Sequence, residues 1–240
     1  MQKMGVFGAF WHKSGKKVVA FCLVFVLSAC VYLLGQRVVA RQVFSYNFVV
    51  ALDAGHGGVD GGVVGVNTGV KESQINLEMT LLLKELFENG GFKVVLTRSD
   101  QNGLYGNATT GFKKRDMQKR LDIIQEAKAN LVLSLHCNKF AQSSRSGPQV
   151  FFGDDEGQKL ANDIQGVLNK FTNNCHSALR GDYFMLKCTT SPSVIVECGF
   201  LSNPSDEAKL CDGDYRNQLA QEIYKGVLLY LCAGSVAISG

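Results

Sequence analysis

The chain has 240 residues, of which 46% are hydrophobic and 19% are charged, and its formal net charge is +4. This composition is typical of a globular protein with a sizeable core and excludes an intrinsically disordered chain. Part of the positive charge lies in the first 17 residues, and no basic stripe with interleaved aromatic residues occurs, so no nucleic-acid partner is expected.

A basic N-terminal segment precedes a long apolar run. Residues 1–17 contain four lysines, and residues 18–34 are apolar except for Ser28. Such a run is at the short end of the roughly 17 to 25 residues that span a bilayer as a helix. Its basic flank is expected on the cytoplasmic side, so the rest of the chain is expected outside. A signal-anchor is favoured over a cleaved signal peptide or a lipoprotein site at Cys30, and each of the three would export the remaining chain.

The exported part begins with a short apolar run at 47–52, which predicts a buried strand. The strand leads into a loop in which glycines surround His56, so that a ligand could approach the main chain closely. Histidine is the commonest metal-ligating side chain, and open α/β sheets place their ligands where strands end. A lone histidine at a turn can also be a hydrogen-bonded structural residue, and both interpretations remain open at this point.

Helical and strand patterns then alternate along the chain. Helical spacing of apolar residues predicts a helix from Lys71-Glu72 to Asn89 and a terminal helical region from Asn203-Pro204. Further helices are predicted at 113–128 and 156–171, and further strands at 93–97, 131–136, 147–152, 184–186 and 193–197. This alternation predicts an α/β fold, with a mostly parallel or mixed sheet of about six strands and helices on both faces.

Three potential metal ligands occur at element ends. His56 follows the first strand, Glu72 begins the first helix, and His136 ends the strand at 131–136. A parallel sheet would bring these ends to one rim, where two imidazoles and one carboxylate form the set typical of catalytic zinc. Alternatively, Glu72 is an ordinary first-turn carboxylate at the helix dipole and His136 is a hydrogen-bonded core histidine.

A fourth polar residue, Glu197, ends the apolar strand at 193–197. A carboxylate in that position is expected only at the rim of a site, because burying it without a partner is costly. We interpret Glu197 as the catalytic base, which takes a proton from the attacking water and passes it to the leaving nitrogen.

Candidate substrate-binding residues carry weaker signals. Asn138 lies two residues after His136, and therefore on the same face if the strand continues. Arg180 and Lys187 are plausible partners for substrate carboxylates, although solvent-facing charge is the common role of basic residues. His176 is a weaker metal candidate, since no predicted strand or turn orients it.

The chain has eight cysteines and no Cys-x-x-Cys pair. Disulfides would be compatible with export, but buried free thiols that pack as small hydrophobic side chains are favoured in a domain of this size. By strand alternation, Cys137 and Cys198 should face the core, away from the side occupied by His136 and Glu197.

Five motifs resemble, in the same order, those of the family 3 N-acetylmuramoyl-L-alanine amidases, which are zinc hydrolases of bacterial peptidoglycan. The motifs are 52–58 (LDAGHGG), 71–77 (KE with INL), 96–100 (LTRSD), 134–138 (SLHCN) and 196–204 (VECGFLSNP). The resemblance extends from about residue 48 to residue 231. It implies that His56, Glu72 and His136 hold zinc, that Glu197 is catalytic, and that the bond cut joins N-acetylmuramic acid to L-alanine.

The predicted layout is similar to that of the membrane-anchored, germination-specific amidases of the spore cortex. It consists of a cytoplasmic tail (1–17), a signal-anchor or signal peptide (18–35), a linker (36–46), a zinc amidase domain (47–233) and a C-terminal tail (234–240). The resemblance therefore implies peptidoglycan as the substrate and an extracytoplasmic catalytic domain, in the cell wall or the intermembrane space of a forespore. A partner protein that activates the enzyme remains a further candidate.

Two other functions remain as alternatives. A zinc peptidase that acts within the stem peptide would use the same ligand set. A catalytically inactive wall-binding membrane protein would contain a structural metal, although structural zinc sites normally have a fourth protein ligand.

Overall fold

A computed structural model describes residues 26–28, 48–107, 110–142, 144–187 and 189–238. Contacts divide the chain into two units, Met1–Tyr46 and Asn47–Gly240, and every element named below belongs to the second. In the first unit only 26–28 are described, as helical residues, so most of the expected span at 18–35 lies outside the described residues. Within the described ranges, no helix combines the length and apolar character needed to cross a membrane.

The second unit is built on one six-stranded sheet with the order β2-β1-β3-β6-β4-β5. Its strands are β1 (Val49–Ala54), β2 (Lys93–Leu96), β3 (Leu131–Asn138), β4 (Gln149–Phe152), β5 (Leu179–Arg180) and β6 (Ser193–Phe200). The strands β2, β1, β3 and β6 run parallel to one another, whereas β4 runs antiparallel to β6 and parallel to β5. The predicted α/β fold with a mixed sheet of about six strands is confirmed.

Helices cover both faces of this sheet. They are α1 (Glu72–Asn89), α2 (Phe112–Glu126), α3 (Asp155–Thr172), α4 (Phe184–Lys187), α5 (Pro204–Cys211) and α6 (Gly213–Ile238). Side chains of β1 alternate between two apolar clusters. Val50 and Leu52 pack with residues of α1, α3, α5 and α6, whereas Ala51 packs with Ile124 of α2 and Met185 of α4.

The last helix packs one apolar stripe against the core. Leu219, Ile223 and Val227 of α6 are fully buried in the larger cluster, and Leu231 packs against it while partly exposed. The helix continues to Ile238, into the segment that the sequence assigns to a C-terminal tail.

One predicted strand is wrong. Residues 184–186 form the helical turn α4, in which the consecutive residues Met185 and Leu186 are both buried. Alternation in a strand would have placed them on opposite faces, and a three-residue apolar run carries too little periodicity to distinguish these cases. The edge strand β5 was not predicted, because its two residues, Leu179 and Arg180, are both exposed and show no buried pattern.

Candidate metal centre

The loop after β1 brings His56 to the rim of the sheet. The main chain leaves the strand at Gly55, whose N–H donates to the carbonyl oxygen of Leu135 at 3.0 Å. A Cβ atom on Gly55 would lie 2.2 Å from Cε1 of His136, so the residue must be glycine to leave room for that ring. His56 itself has a φ of 61°, a left-handed conformation that is uncommon for a residue with a side chain.

The carboxylate of Glu72, at the start of α1, lies between the two histidines. Its Oε1 atom is 3.2 Å from Nε2 of His56 and 2.9 Å from Nδ1 of His136. The side chain is 2% exposed, and its Oε2 atom accepts a hydrogen bond from the N–H of Val63 at 2.8 Å. Glu72 therefore faces the site and is held there by the glycine-rich loop.

The potential ligand atoms of His56, Glu72 and His136 all lie within 4.8 Å of one another. Two imidazole nitrogens and one carboxylate oxygen are a typical donor set for zinc, and a set of three leaves one coordination position for water or substrate. The residues present thus fit a catalytic zinc ion. The sequence-based expectation that these three element ends share one rim agrees with their positions.

Electrostatic interactions within the cluster favour charged imidazoles and a charged carboxylate. Burial lowers the pKa of each histidine, but the neighbouring carboxylates outweigh it, and the pKa of both His56 and His136 is raised. Burial would raise the pKa of Glu72, yet hydrogen bonds to the two imidazoles hold it well below its usual range. A divalent cation would take the place of these imidazole protons.

Glu197 lies beside the cluster on the neighbouring strand, where it pairs in register with His136. Its side chain is 7% exposed, and its Oε2 atom has no hydrogen-bond partner among the described residues. Burial raises the pKa of Glu197 to about 7. An unpaired buried carboxylate is costly, so its place at this rim is typical of a group used for proton transfer near neutral pH.

Several residues that support the cluster were missed from the sequence. Asp60 contacts Nδ1 of His56 at 3.1 Å, an arrangement that orients a ligating imidazole. Arg98 donates to the carbonyl oxygens of Gly55 at 3.0 Å and Ser73 at 2.8 Å, which joins the histidine loop to the start of α1. Two sequence features could have indicated these residues. Asp60 lies in the same loop as His56, and Arg98 lies just after a predicted strand.

The predicted substrate-binding residues lie in different places. Asn138 ends β3 and is partly exposed like His136, while Cys137 between them is buried, as alternation predicts. Arg180 lies on the edge strand β5, where it donates to the carbonyl oxygen of Gly153 at 2.7 Å and to Asp155 at 3.0 Å. Substrate binding by Asn138 and Arg180 stays a prediction.

The two other candidates have structural partners. Lys187 forms an ion pair with Asp182 on the surface. A ring nitrogen of His176 lies 2.9 Å from the carbonyl oxygen of Ser146, within hydrogen-bond distance. Neither residue belongs to the group of candidate metal ligands found among the described residues.

A cleft of about 240 Å³ opens beside the cluster and is lined by His56 and His136. Its other described lining residues are mostly aromatic or charged, and they include Tyr105, Phe112, Lys113, Asp116, Arg120, Tyr183 and Phe184. Arg180 is not among them. The cleft therefore exposes two of the three candidate ligands, His56 and His136, to a bound molecule.

The cysteines follow the prediction in part. Cys137 and Cys198 are buried free thiols in the larger core cluster, as expected. Cys175, Cys211 and Cys232 are also free but exposed, so they do not act as buried hydrophobic side chains. The other three, Cys22, Cys30 and Cys188, lie outside the described residues.

Comparisons with known proteins agree with this geometry. The model of the family described as N-acetylmuramoyl-L-alanine amidase matches residues 50–228. The germination-specific N-acetylmuramoyl-L-alanine amidase of Bacillus subtilis (strain 168) is 33% identical over 189 residues, which are 76% of this chain and 79% of that protein.

Two solved structures extend the similarity to the fold. The CwlD amidase from Clostridioides difficile, solved in complex with the GerS lipoprotein, is 36% identical with a TM-score of 0.75 and covers 78% of this chain and 99% of its own. The catalytic domain of CwlV, an N-acetylmuramoyl-L-alanine amidase from Bacillus (Paenibacillus) polymyxa var. colistinus, is 31% identical with a TM-score of 0.69, covering 77% of this chain and 98% of its own. The chain therefore belongs to the N-acetylmuramoyl-L-alanine amidase family, and it is a hydrolase.

Proposed function

We propose that this enzyme is a zinc-dependent amidase that hydrolyses the bond between N-acetylmuramic acid and L-alanine in peptidoglycan. In this proposal His56, Glu72 and His136 hold the zinc ion and Glu197 is the catalytic acid and base. The observation that carries it is the cluster of three ligand atoms within 4.8 Å, with the buried carboxylate of Glu197 beside it.

Bound zinc would act as a Lewis acid that polarises the scissile carbonyl group and lowers the pKa of water to about 7. Glu197, with its pKa raised to about 7 by burial, accepts the proton of the attacking water and then protonates the leaving nitrogen. Asp60 holds the imidazole of His56 in the orientation that directs Nε2 toward Glu72.

We also propose that the substrate is spore-cortex peptidoglycan and that the catalytic domain (47–233) lies outside the cytoplasm, anchored by the segment at 18–35. The cortex role is supported by the similarity to the germination-specific amidase of Bacillus subtilis. The proposed location outside the cytoplasm is supported by the basic tail at 1–17 and the apolar run at 18–34. Because CwlD was solved in complex with the GerS lipoprotein, we propose that a protein partner also binds this chain.

Digestion of purified cell wall tests the bond and the metal together. We expect the full-length chain to release stem peptides that begin with L-alanine, and we expect a chelator to abolish the release and added zinc to restore it. Mass spectrometry of the products provides the measurement. Fragments cut within the stem peptide would instead support the zinc peptidase, and release that survives complete removal of metal would contradict the proposal.

Replacement of Glu197 by glutamine tests the catalytic role. The amide retains the size of the side chain but cannot accept the proton, so we expect E197Q to bind zinc as the parent does and to lose a factor of about 100 or more in rate. Metal content and initial rates of peptide release are the measurements. E222Q, at a partly exposed position of α6 that pairs with Lys225, is the matched control and should retain the parent rate. An unchanged rate in E197Q would favour the inactive wall-binding protein or another base.

A further inference from the structure

A buried arginine of α2 lies next to the loop that carries His56. Arg120 of α2 is 1% exposed, and its Nη1 atom donates to Oδ1 of Asp53 at 2.6 Å. Its Nε atom donates to Oδ2 of Asp116 at 2.5 Å. A buried ion pair is weak evidence for stability, because apolar residues of similar volume often replace it without loss. The other contacts of Arg120 therefore indicate its role.

Its remaining donors reach the main chain of the loop that carries His56. Nη1 donates to the carbonyl oxygen of Ala54 at 2.6 Å, and Nη2 donates to the carbonyl oxygen of His56 at 2.6 Å. These carbonyls lie on the two sides of Gly55. One rigid, planar guanidinium thus sets the distance and direction between them.

This contact matters because His56 is held in a left-handed conformation, with a φ of 61°. For a residue with a side chain such a conformation is strained and persists only where the surrounding structure enforces it. In the left-handed conformation the imidazole points at Glu72, with Nε2 at 3.2 Å from Oε1. The direction of the ring therefore depends on this backbone conformation.

The guanidinium is itself fixed through Asp53. Oδ1 of Asp53 accepts from the hydroxyl of Thr97 at 2.7 Å, and its Oδ2 accepts from the hydroxyl of Ser134 at 2.5 Å. Thr97 directly follows β2, and Ser134 lies on β3 two residues before His136. Asp53 therefore fixes the position of Arg120 relative to β3, the strand that carries the second histidine, His136.

We propose that Arg120, anchored by Asp53, is a positioning residue for His56, and that it raises the affinity of the site for its metal by holding the main chain on both sides of Gly55. This inference rests on the proposed function, since it takes His56 as a metal ligand. Arg120 contacts the loop through carbonyl oxygens and acts on the metal only through His56.

The substitution R120K tests the inference. A lysine retains the positive charge, but one ammonium group cannot reach both carboxylates and both carbonyl oxygens at once. We expect the zinc dissociation constant to rise about 10- to 100-fold, as is typical when a partner of a metal ligand is removed. We also expect the visible absorption spectrum of the Co²⁺-loaded chain to change. Competition with a chromogenic chelator on the full-length chain measures the affinity, and circular dichroism checks the fold.

Arg216 provides a matched control. It also bridges an acidic side chain and a carbonyl oxygen, with Glu78 at 2.8 Å and Leu210 at 2.6 Å, and it has no contact with the histidine loop. R216K should therefore bind zinc as the parent does. An R120K chain that folds and binds zinc as tightly as R216K would overturn the inference and leave the proposed function intact. A parent chain that binds no zinc would overturn both.

A second variant covers the case in which R120K does not fold. D53N retains the size of the side chain but loses the charge that anchors Arg120, and its amide nitrogen no longer accepts a hydrogen bond. We expect a lower zinc affinity and a changed Co²⁺ spectrum in D53N as well. Parent-like values for both in a folded D53N chain would overturn the inference.

Discussion

At the scale of single residues, Asp53 shows how a buried charge can be made stable. Burial raises the pKa of its carboxyl group, but Arg120 and the hydroxyls of Ser134 and Thr97 outweigh burial and lower the pKa from 3.8 to about 2. A folded-state pKa below the unfolded value means that the unfolded chain binds more protons in that pH range. The contribution of Asp53 to stability is therefore complete above the unfolded pKa and is lost as the pH falls toward the folded pKa.

This difference in pKa predicts a measurable pH dependence. Asp53 should contribute about 2 kcal/mol to the free energy of unfolding at about pH 5, and that contribution should disappear by about pH 2. Urea unfolding at a series of pH values measures it. D53N should show a shallower loss of stability over the same range, and equal slopes in the two chains would contradict the assignment.

Gly55 is a second residue of this kind, because the site requires that it has no Cβ atom. An added Cβ would lie 2.2 Å from the ring of His136, so we expect G55A to displace that imidazole and to lose on the order of 100-fold in kcat. Peptide-release rates and zinc content provide the measurements. G166A is the control, because Gly166 lies in α3 with open space around it. G166A should retain the parent rate and gain about 0.5 to 1 kcal/mol of stability.

At the scale of elements, the loop between β1 and α1 is held from a distant helix. Glu207 of α5 is fully buried, and its Oε1 atom accepts from the N–H of Thr68 at 2.7 Å and from the Thr68 hydroxyl at 2.7 Å. The N–H of Asn67 donates to its Oε2 atom at 2.9 Å. Hydrogen bonds to a charged acceptor are stronger than neutral ones. Glu207 therefore fixes the loop that carries Asp60, although Glu207 and Thr68 are 139 positions apart in the sequence.

Removal of that contact should loosen the loop locally. In E207A we expect the amide protons of Asn67 and Thr68 to exchange about tenfold faster or more, which corresponds to a loss of about 1.4 kcal/mol in the protection of each. Hydrogen exchange measured by NMR or mass spectrometry tests this. E222A, which removes a surface pair with Lys225, should leave the exchange of both amides unchanged. Unchanged exchange in E207A would contradict the anchoring role.

Helix ends illustrate which local features a sequence can reveal. Asn203 caps α5 by accepting from the N–H groups of Ser205 and Asp206, and Pro204 follows at the first helical position, as predicted. These signals depend only on neighbouring residues. The misassigned turn α4 has no such cap signal. Its consecutive residues Met185 and Leu186 are buried because of the elements that pack against them, which the local sequence does not show.

At the scale of the whole molecule, we propose that the domain from residue 47 folds without the preceding segment. All twelve elements described here belong to the unit Asn47–Gly240. We expect a chain that starts at residue 47 to unfold in one cooperative urea transition. Its midpoint should equal that of the same transition in the full-length chain. A clearly lower midpoint would show that the segment before residue 47 contributes to the stability of the domain.

The alternation of strands and helices, the family, and the rim at which His56, His136 and Glu197 lie could all be predicted from the amino-acid sequence. These follow from local patterns, since apolar run lengths define where strands end and parallel strands bring those ends to one edge. The family motifs also indicated the candidate ligands. Local periodicity reflects backbone geometry over a few residues, which is why it could be interpreted without coordinates.

The residues that support that site could be identified only from the three-dimensional contacts. The contacts of Arg120 with His56 and of Glu207 with Thr68 join residues 64 and 139 positions apart. The assignment of 184–186 to a helix and the pairing of the short strand β5 were likewise decided by packing. Contacts of this kind depend on how whole elements pack, because the free energy that places a buried polar group comes from partners that no local pattern identifies.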